Sequence, residues 1–420
     1  MTNEMLARKH IEEESSYSTG ILTSILAGLG WLFDAYVINI YALALPFIAT
    51  TFNLKPVALG IVASMFVLGY TIGTIGFGYI TDLLGRKPTL SISILGYSVI
   101  TALSGLSPNV ITFAILRFLT GVGGGGELPV GATFTTENWP AKHRGIGITL
   151  MYIGYPIGYL MAVFAAYILV PSLGWRWIFI GAIIPGLLIL IIRSKLEESK
   201  RYLIMKKEHE EKGIKKGSYR ELFSNKKYLR SFITGALIYI SLAYGYYSLS
   251  VFLPTFITKT LHQSYIQMIH YMIYLTLSYL IFTIIAGYLS DIIGRKPVAI
   301  LSALIAGGGG YIMFSQTNPH YFLLYGLLPY AAWVGMTWTV SIAYVNEIFP
   351  TRIRGTGFGA SVGAGRVISI FAPIISGFLA SRIGFAGAFR ISASIWLLMI
   401  LGYMIGPKET KRKVLEEISE

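Results

Sequence analysis

The chain has 420 residues, of which 54% are hydrophobic and only 13% charged, and its mean hydropathy is +0.63. A soluble protein of this composition could not cover itself with polar surface, so a soluble globular fold is excluded. The chain has no cysteine, which excludes disulfides, thiolate catalysis and thiolate metal ligands. The net charge of +14 would suit a nucleic-acid-binding protein, but these charges lie between long apolar segments, as in a membrane protein.

Apolar segments long enough to cross a bilayer alternate with polar loops along almost the whole chain. Residues 1–20 are polar and lack the apolar core of a cleaved signal peptide. A spanning helix needs about 20 mainly apolar residues. The sequence predicts twelve, called here the first to the twelfth span: 22–48, 57–81, 88–107, 109–134, 145–169, 175–193, 231–257, 266–289, 297–315, 321–345, 355–380 and 385–406. The predicted fold class is an all-α membrane protein with twelve transmembrane helices.

Lysine and arginine are concentrated in every second loop. The predicted outer loops contain only Lys55, Arg176, Lys259 and Arg382. Cytoplasmic loops carry such an excess of positive residues. We therefore expect a multi-pass protein of the plasma membrane with both termini in the cytoplasm, and we expect the lipid bilayer, not nucleic acid, as its surroundings.

The longest polar stretch, residues 194–230, lies between the sixth and seventh spans and mixes positive and negative residues. We predict a cytoplasmic linker, either an amphipathic helix on the anionic inner leaflet or a solvated tether. The predicted domains are then two six-helix bundles, 21–193 and 231–406, with cytoplasmic tails at 1–20 and 407–420.

Two loop motifs occur twice, about half the chain apart. Residues 78–87 read GYITDLLGRK and residues 287–296 read GYLSDIIGRK, while ENWPAKHRG begins at Glu137 and EIFPTRIRG at Glu347. Two unrelated strings that repeat at nearly the same offset indicate two copies of one unit. A duplicated membrane protein is typical of transporters, which bind their substrate at the interface between the two copies.

Charged residues inside the predicted spans are few. Asp34 in the first span and Glu127 in the fourth are the acids that lie deep in predicted helices, and Arg117, Arg366 and Arg390 are the basic residues. A charge in lipid costs several kcal/mol unless it is paired or neutralised, so these residues are functional candidates. Arg390 lies near the outer end of its span, where we expect it to extend towards water.

The sequence lacks the motifs of nucleotide-binding proteins, enzymes and metal-binding proteins. The glycine runs at 121–126 and 307–310 follow no strand and precede no Lys-Ser/Thr pair, which argues against nucleotide binding. In the sequence we find no H-E-x-x-H motif, no Ser/His/Asp grouping and no metal-binding cluster. We therefore predict that the protein is not an enzyme and has neither a cofactor nor a metal.

The repeated loop resembles the signature motif of the major facilitator superfamily. The matching residues are Gly78, Asp82, Gly85, Arg86 and Lys87 in the first half, and Gly287, Asp291, Gly294, Arg295 and Lys296 in the second. The resemblance covers the whole chain and implies two pseudo-symmetric six-helix bundles that rock around a central site. It also implies a cytoplasmic gate in which each aspartate caps a neighbouring helix and pairs with its arginine. Four charged residues at inner helix ends complete this predicted network: Glu137, Arg144, Glu347 and Arg354.

Further strings indicate a branch of that superfamily. RFLTGVGGGG at 117–126, LEESKRYL at 196–203 and PKETKRKVLEE at 407–417 resemble sugar porters and their organic-anion relatives, which include aromatic acid, sialate and phosphate proton symporters and animal organic ion transporters. The first span, GWLFDAYVINIYALALP, is close to the D-x-x-D-type pattern of those relatives, but Val37 replaces the second acid. The seventh span lacks the paired glutamines of sugar porters, which favours the organic-anion relatives.

The resemblance implies that the first-span acid and the fourth-span arginine face each other. We therefore expect Asp34 to carry a proton and Arg117 to set its pKa, with a permanent ion pair that only fixes helix packing as the alternative. Glu127 is expected to be a second proton site or a substrate ligand, or else a gate residue paired with cytoplasmic arginines.

Arg366 is the main candidate for substrate binding, because a guanidinium binds a carboxylate or phosphate bidentately. The organic-anion relatives carry an arginine in the same G-R-x(6)-P pattern, where it is taken to hold the anion. The alternative is an arginine paired with Glu127 or a carbonyl. Aromatic side chains of the seventh and tenth spans could form walls for an aromatic or small polar acid, or merely pack: Tyr244, Tyr247, Trp333 and Trp338.

The leading hypothesis is a monomeric secondary active transporter that works by alternating access and takes up a small organic anion together with protons. The expected anion is a carboxylate, with aromatic carboxylates included. The alternatives are a sugar or polyol porter, a metabolite or drug antiporter driven by protons, and a nutrient sensor built on the same fold.

Overall fold

The computed structural model describes residues 17–413 and 415, apart from 55, 196, 213–218, 251, 252, 254, 255 and 317. Within this part of the chain every regular element is a helix. Most of the predicted N-terminal tail, and parts of the predicted C-terminal tail and linker, lie outside the described residues.

The first half of the chain forms six spans, three of them interrupted. Their bounds are Tyr17–Thr51; Pro56–Leu84; Arg86–Gly105; Val110–Gly124 with Glu127–Asn138; Arg144–Tyr152 with Gly154–Leu173; and Arg176–Ile180 with Ile183–Arg193. Two short helices, Lys200–Lys212 and Tyr219–Ser224, follow in the predicted linker.

The second half repeats the pattern. The seventh to tenth spans are Lys226–Ser250; Tyr265–Ile292; Arg295–Met313; and Leu328–Glu347, the last preceded by a π-helical turn at Phe322–Leu327. The eleventh span begins with Arg354–Ser369. The next helix, Ala372–Ala393, turns at Gly384 (φ 74°) and carries the chain into the twelfth span, which ends with Trp396–Ile405.

Prolines explain the interruptions, which the apolar pattern alone did not predict. Pro129, Pro156 and Pro185 each lie three or four residues beyond a break in the fourth, fifth or sixth span. A proline has no N–H to donate and its ring clashes with the carbonyl four residues earlier, so the helix opens at that point. These helices can therefore bend at the interruptions and still cross the bilayer.

By length and composition alone, eight helical stretches of the described residues are long and apolar enough to cross a membrane. The fourth, seventh, tenth and eleventh spans are not among them. These four contain the more polar residues, including Glu127 and Arg366. Such side chains are tolerated because they face the protein interior and not lipid.

The two halves meet where the second span packs on the eleventh and the fifth on the eighth. A Cβ added to Gly78 would lie 2.7 Å from the carbonyl oxygen of Gly355, and one added to Gly145 would lie 2.8 Å from that of Gly287. Small residues let helix backbones approach this closely. Both crossings lie at the end of the bundle that carries the repeated loops, called here the motif end.

Candidate functional site

Three side chains from both halves meet in the middle of the molecule. Asp34 is fully buried, and the hydroxyl of Tyr70 in the second span donates to its Oδ2 atom. The guanidinium of Arg366 in the eleventh span lies 3.9 Å from the centre of the Tyr70 ring and within electrostatic range of Asp34. The structure thus brings a carboxylate of one half next to a cation of the other, with a tyrosine between them.

Arg117 lies apart from this group. Its terminal nitrogens donate to the carbonyl of Val37 at 3.5 Å, and its guanidinium lies 4.3 Å from the centre of the Phe66 ring. The expected contact of Arg117 with Asp34 is therefore corrected, because among the described side chains Tyr70 is the one that bonds to Asp34. The physical reason is Val37: at the position where the resemblance implied a second acid the side chain is apolar, so the arginine binds the backbone carbonyl of that residue.

Glu127 pairs with Arg193; the sequence analysis left open a pairing with cytoplasmic arginines but did not name this one. Arg193, at the end of the sixth span, donates to Glu127 Oε2 at 2.8 Å and to Oε1 at 3.2 Å, and Ser93 donates to Oε1 at 3.2 Å. All three residues are buried. Arg193 also binds the carbonyls of the first span at Leu26 and Ala27. This cluster ties four spans of the first half together, and Glu127 is not the partner of Arg366 that one alternative foresaw.

Aromatic side chains from both halves surround the central group. In the second half Trp338 lies 6.1 Å from Tyr239 and 6.3 Å from Tyr246, which in turn lies 5.3 Å from Tyr247, measured between ring centres. In the first half Trp31 lies 5.3 Å from Tyr155. Of the predicted aromatic residues, Tyr247 and Trp338 thus belong to this wall.

The other two predicted aromatic residues have no described role at the centre. Tyr244 is half-buried in the seventh span. Trp333 lies in the tenth span, but its side chain is outside what the structure describes.

Several buried polar atoms of this central region lack a hydrogen-bond partner among the described residues. They are Trp31 Nε1, Asp34 Oδ1, Tyr239 Oη, Trp338 Nε1 and Arg366 Nε. Buried polar groups are nearly always hydrogen-bonded, and an unsatisfied one costs about 1–3 kcal/mol. The arrangement can therefore bind a ligand that has a negative group for Arg366 and an aromatic or planar body for the rings. Sequence reasoning missed Trp31, Tyr70 and Tyr239, for which the chain carries no local motif.

At the motif end, the first repeated loop reaches the opposite half. Asp82 accepts from the backbone N–H groups of Gly355 and Thr356, at 3.2 and 2.7 Å, and from the Thr356 hydroxyl at 2.8 Å. It also lies 3.4 Å from Arg86. A carboxylate is favoured at a helix start, where N–H groups are free, so Asp82 caps the eleventh span.

The second repeated loop makes the pseudo-symmetric contact. Asp291 accepts from the N–H groups of Gly145 and Ile146, both at 3.1 Å, and its Oδ1 lies 2.7 Å from Arg295. Asp291 therefore caps the fifth span, as Asp82 caps the eleventh. Together the two contacts are called here the aspartate latches.

Buried ion pairs lie behind the latches. Glu137 is bound by Arg86 at 2.7 Å and by Arg354 of the other half at 2.9 Å, and Glu347 is bound by Arg295 at 3.1 Å. The bond described for Arg144 goes to the carbonyl of Lys413, near the C-terminus, at 2.9 Å. The structure therefore brings the predicted gate residues together, although the two halves are not identical in their pairing.

The repeated glycines and lysines shape the loops themselves. Gly85 and Gly294 have φ values of 108° and 124°, which side-chain-bearing residues rarely adopt. Lys87 donates to the carbonyl of Ser194 and Lys296 to that of Pro407, both at 2.9 Å. These contacts fasten the loops to the segments that follow the sixth and twelfth spans.

Two glutamates that the sequence analysis missed complete the motif end. Glu198 accepts from the N–H of Lys87 at 3.2 Å, and Glu409 accepts from the N–H groups of Arg295 and Lys296 at 2.9 and 2.8 Å. Burial raises the pKa of the Glu198 carboxyl, although its bonds to backbone N–H groups oppose that shift. The sequence did contain a signal for these two glutamates. They lie in LEESKRYL and PKETKRKVLEE, the strings that resemble those of sugar porters and their organic-anion relatives.

A sequence model of the Major Facilitator Superfamily matches residues 27–273 and 235–419, which together cover almost the whole chain. The chain belongs to the Major Facilitator Superfamily. One relative in this superfamily is the putative niacin/nicotinamide transporter NiaP of Bacillus subtilis, 31% identical over 395 residues that cover 93% of this chain and 96% of that protein. Another is the cis,cis-muconate transport protein of Acinetobacter baylyi, 30% identical over 85% of this chain and 87% of that protein.

Solved structures of the superfamily have the same fold. The proton:xylose symporter XylE, bound to 6-bromo-6-deoxy-D-glucose, superposes with a TM-score of 0.82 at 23% identity, covering 96% of this chain and 99% of that one. The predicted fold class, an all-α membrane protein of two pseudo-symmetric six-helix bundles, is thus confirmed. The relatives are transporters by name, as expected of a protein that is not an enzyme.

Proposed function

We propose that this superfamily member is a secondary active transporter that works by alternating access and takes up a small organic anion, in particular an aromatic carboxylate, together with protons. One observation carries the proposal. Arg366 and Asp34, from opposite halves, lie around Tyr70 in a buried region lined by aromatic rings, and each retains a polar atom without a partner among the described residues. Substrates of the superfamily bind at the interface between the halves.

Arg366 supplies the site for the negative group. An arginine offers parallel N–H donors that match the geometry of a carboxylate, and such charge-assisted bonds are among the strongest in proteins. Tyr247 and Trp338 supply flat apolar faces, and the indole N–H of Trp338 is a donor for a polar ring atom. Relatives named for niacin/nicotinamide and cis,cis-muconate, which are small organic molecules, support this substrate class.

Charge balance supports the coupling to protons. The Asp34 carboxyl lies within electrostatic range of the Arg366 guanidinium and, when ionised, balances its charge. An anion that bound alone would leave one uncompensated negative charge in a buried site, which costs several kcal/mol. A proton on Asp34 for each monovalent anion restores the balance, so uptake of the two together follows from the pair itself.

The same proposal assigns the sides of the membrane. With the motif end in the cytoplasm, the positive loops face inwards, as the positive-inside bias requires. The tails 1–20 and 407–420 and the linker 194–230 are then cytoplasmic, and the latches, with their ion pairs, are the inner gate of a monomer in the plasma membrane. The central site would open to the outside while this gate is closed.

The experiment compares nicotinate with nicotinamide, which have the same ring and differ in charge, and uses xylose as the neutral sugar. Binding is read from the thermal stabilisation of the purified protein, since a ligand adds RT ln(1 + [L]/Kd) to stability. We expect stabilisation by nicotinate or another aromatic acid, and accumulation of that acid in proteoliposomes under an inward proton gradient. Stabilisation by xylose alone, or by none of the organic acids, would overturn the proposal.

Arg366→Ala tests the role of the guanidinium. Loss of a charge-assisted bond of about 1.5–3 kcal/mol should weaken binding of the acid about 10- to 100-fold, while binding of the neutral amide changes little. Arg382→Ala, which removes an exposed arginine sixteen residues further along the chain, is the control. Equal losses for acid and amide would mean that Arg366 only supports the packing of the eleventh span.

A further inference from the structure

A groove of about 280 Å³ lies on the outside of the second half, between the ninth and twelfth spans. Gly307 and Gly308 line one side, and a Cβ added to Gly308 would meet no atom within 4 Å. Leu304 and Leu397, on its two walls, have 53% and 64% of their surface exposed. The groove is therefore apolar and opens towards the lipid, not towards the centre of the transporter.

One arginine lies in this groove with little to neutralise it. Arg390 donates to the carbonyl of Phe314 at the long distance of 3.5 Å, and its guanidinium lies 5.6 Å from the centre of the Tyr311 ring. Its Nε atom is buried and has no hydrogen-bond partner, and no acid of the described chain forms an ion pair with it. A half-buried cation without an anion is unfavourable, so the groove has the electrostatic character of an anion site.

A second polar group lies beside it. Trp396 lines the same groove, is only 1% exposed, and its indole Nε1 has no partner among the described residues. Its Cδ1 atom would lie 3.5 Å from a Cβ added to Gly307 and its Cε2 atom 3.1 Å from one added to Gly245 of the seventh span, so the N–H between these two atoms lies at the back of the groove. The N–H adds a second polar group without a described partner to the wall of the groove.

The depth of the groove in the membrane defines the kind of ligand. Tyr311 lies sixteen residues beyond Arg295, or about 24 Å along the ninth span at 1.5 Å per residue, so Arg390 is near the interface opposite the motif end. Anionic phosphates of lipids occupy that depth. From Tyr311 the groove runs back to Ala303, about 12 Å along the helix, into the hydrocarbon region.

We propose that this groove is a binding site for an anionic phospholipid, with its phosphate on Arg390 and one acyl chain along Gly308. Arginine suits phosphate because its planar group offers several donors at once. The absent side chains of Gly307 and Gly308 make room for the chain, and the exposed leucines contact its methylene groups. The site is separate from the central constellation and does not depend on which solute is transported.

The test is native mass spectrometry of the full chain released from nanodiscs that contain phosphatidylglycerol. Arg390→Gln removes the charge, and Gly308→Leu fills the groove without altering the charge. We expect the wild type to retain one phosphatidylglycerol and each variant to lose at least about four-fifths of that occupancy. Arg382→Gln, which removes an exposed arginine also placed outside by the predicted topology, is the matched control and should retain the lipid.

The two variants separate the possible explanations. Loss in Arg390→Gln with full retention in Gly308→Leu would contradict an acyl chain in the groove, because a contact of the lipid headgroup with Arg390 alone would account for that result. Retention in both variants, or equal loss in Arg382→Gln, would overturn the site. Circular dichroism and the thermal midpoint of each variant show whether a loss of lipid follows merely from unfolding.

Discussion

At the scale of single residues, the position of Asp34 in the first span determines which side chains meet at the centre of the molecule. Asp34 bonds to Tyr70, while Val37, one turn further along, leaves Arg117 with a carbonyl as its partner. Arg117 is enclosed by the rings of Phe66 and Tyr41 instead. The proposed proton site is therefore bonded to Tyr70 and lies within electrostatic range of Arg366 of the other half, while Arg117 of its own half has a different partner.

We expect Asp34→Asn to abolish accumulation of the acid against its gradient. Asparagine is neutral at every pH, so the site can no longer bind a proton on one side of the membrane and release it on the other. Exchange of labelled for unlabelled acid across proteoliposomes should persist, because it needs binding and the conformational change but no net proton movement. Accumulation driven by an imposed pH gradient in this variant would contradict the role proposed for Asp34.

Trp338→Phe tests the contribution of a single N–H group. Phenylalanine keeps an aromatic face but cannot donate a hydrogen bond. If Trp338 binds a ring acceptor of the substrate, affinity for nicotinate should fall about 5- to 10-fold, as for the loss of one neutral hydrogen bond of about 1 kcal/mol, while affinity for benzoate stays the same. Parallel losses for both acids, measured by titration calorimetry, would show that the indole only packs.

At the scale of the helices, the contact between the second and eleventh spans depends on missing side chains. Gly76 and Gly78 lie on the same span, two residues apart. A Cβ on Gly78 would lie within 2.9 Å of Gly359 as well as near Gly355, whereas one on Gly76 meets nothing within 4 Å. The two positions therefore form a matched pair in which only one methyl group enters the interface.

Gly78→Ala should force the motif end apart, and Gly76→Ala should not. Overpacking by one methyl group costs about 1–3 kcal/mol, and separation of the two halves relieves it. The readout is the rate at which a cysteine introduced at Thr133 reacts with a maleimide, which is unambiguous because the chain has no native cysteine. Equal labelling of the two alanine variants would show that this crossing does not determine whether the gate closes.

Some elements could be predicted from the sequence and others could not. The spans and the gate follow from contiguous strings, because apolar length and the repeated loops are local signals. The breaks at Pro129, Pro156 and Pro185 were missed since prolines in lipid are compatible with a continuing span, and only the backbone shows the interruption. For Glu127, a cytoplasmic arginine was one expected partner, but Arg193 could not be identified from the sequence because the two residues lie in different spans that share no motif.

At the scale of the whole molecule, the two halves are held together mainly by the motif end. Arg354 bridges the halves through Glu137, and Thr133 donates to Asn346 at 3.1 Å across the same interface. The two aspartate latches lie on opposite sides of this interface. Rocking of the halves must break these contacts together, which makes the closed gate one cooperative unit.

Glu137→Gln should shift the molecule towards an open motif end. The substitution removes the carboxylate shared by Arg86 and Arg354. If the closed state of the motif end loses ~1 kcal/mol of stability, the ratio of open to closed molecules rises about fivefold. Labelling of a cysteine at Thr133 should rise by at least that factor. Glu221→Gln, which breaks a partly exposed pair with Arg352, should have little effect since pairs in contact with solvent contribute about 0–1 kcal/mol. A similar rise in both variants would rule out a special role for Glu137.

The latches have one more consequence, which concerns water. Asp82 and Asp291 bind four backbone N–H groups of the opposite half, those of residues 145, 146, 355 and 356. When the halves part, both carboxylates and all four groups must be hydrated, because a backbone group left bare is costly. Opening therefore takes up water, and solutes that are excluded from protein surfaces oppose it. Osmotic pressure on the side of the motif end would then slow the opening of this gate.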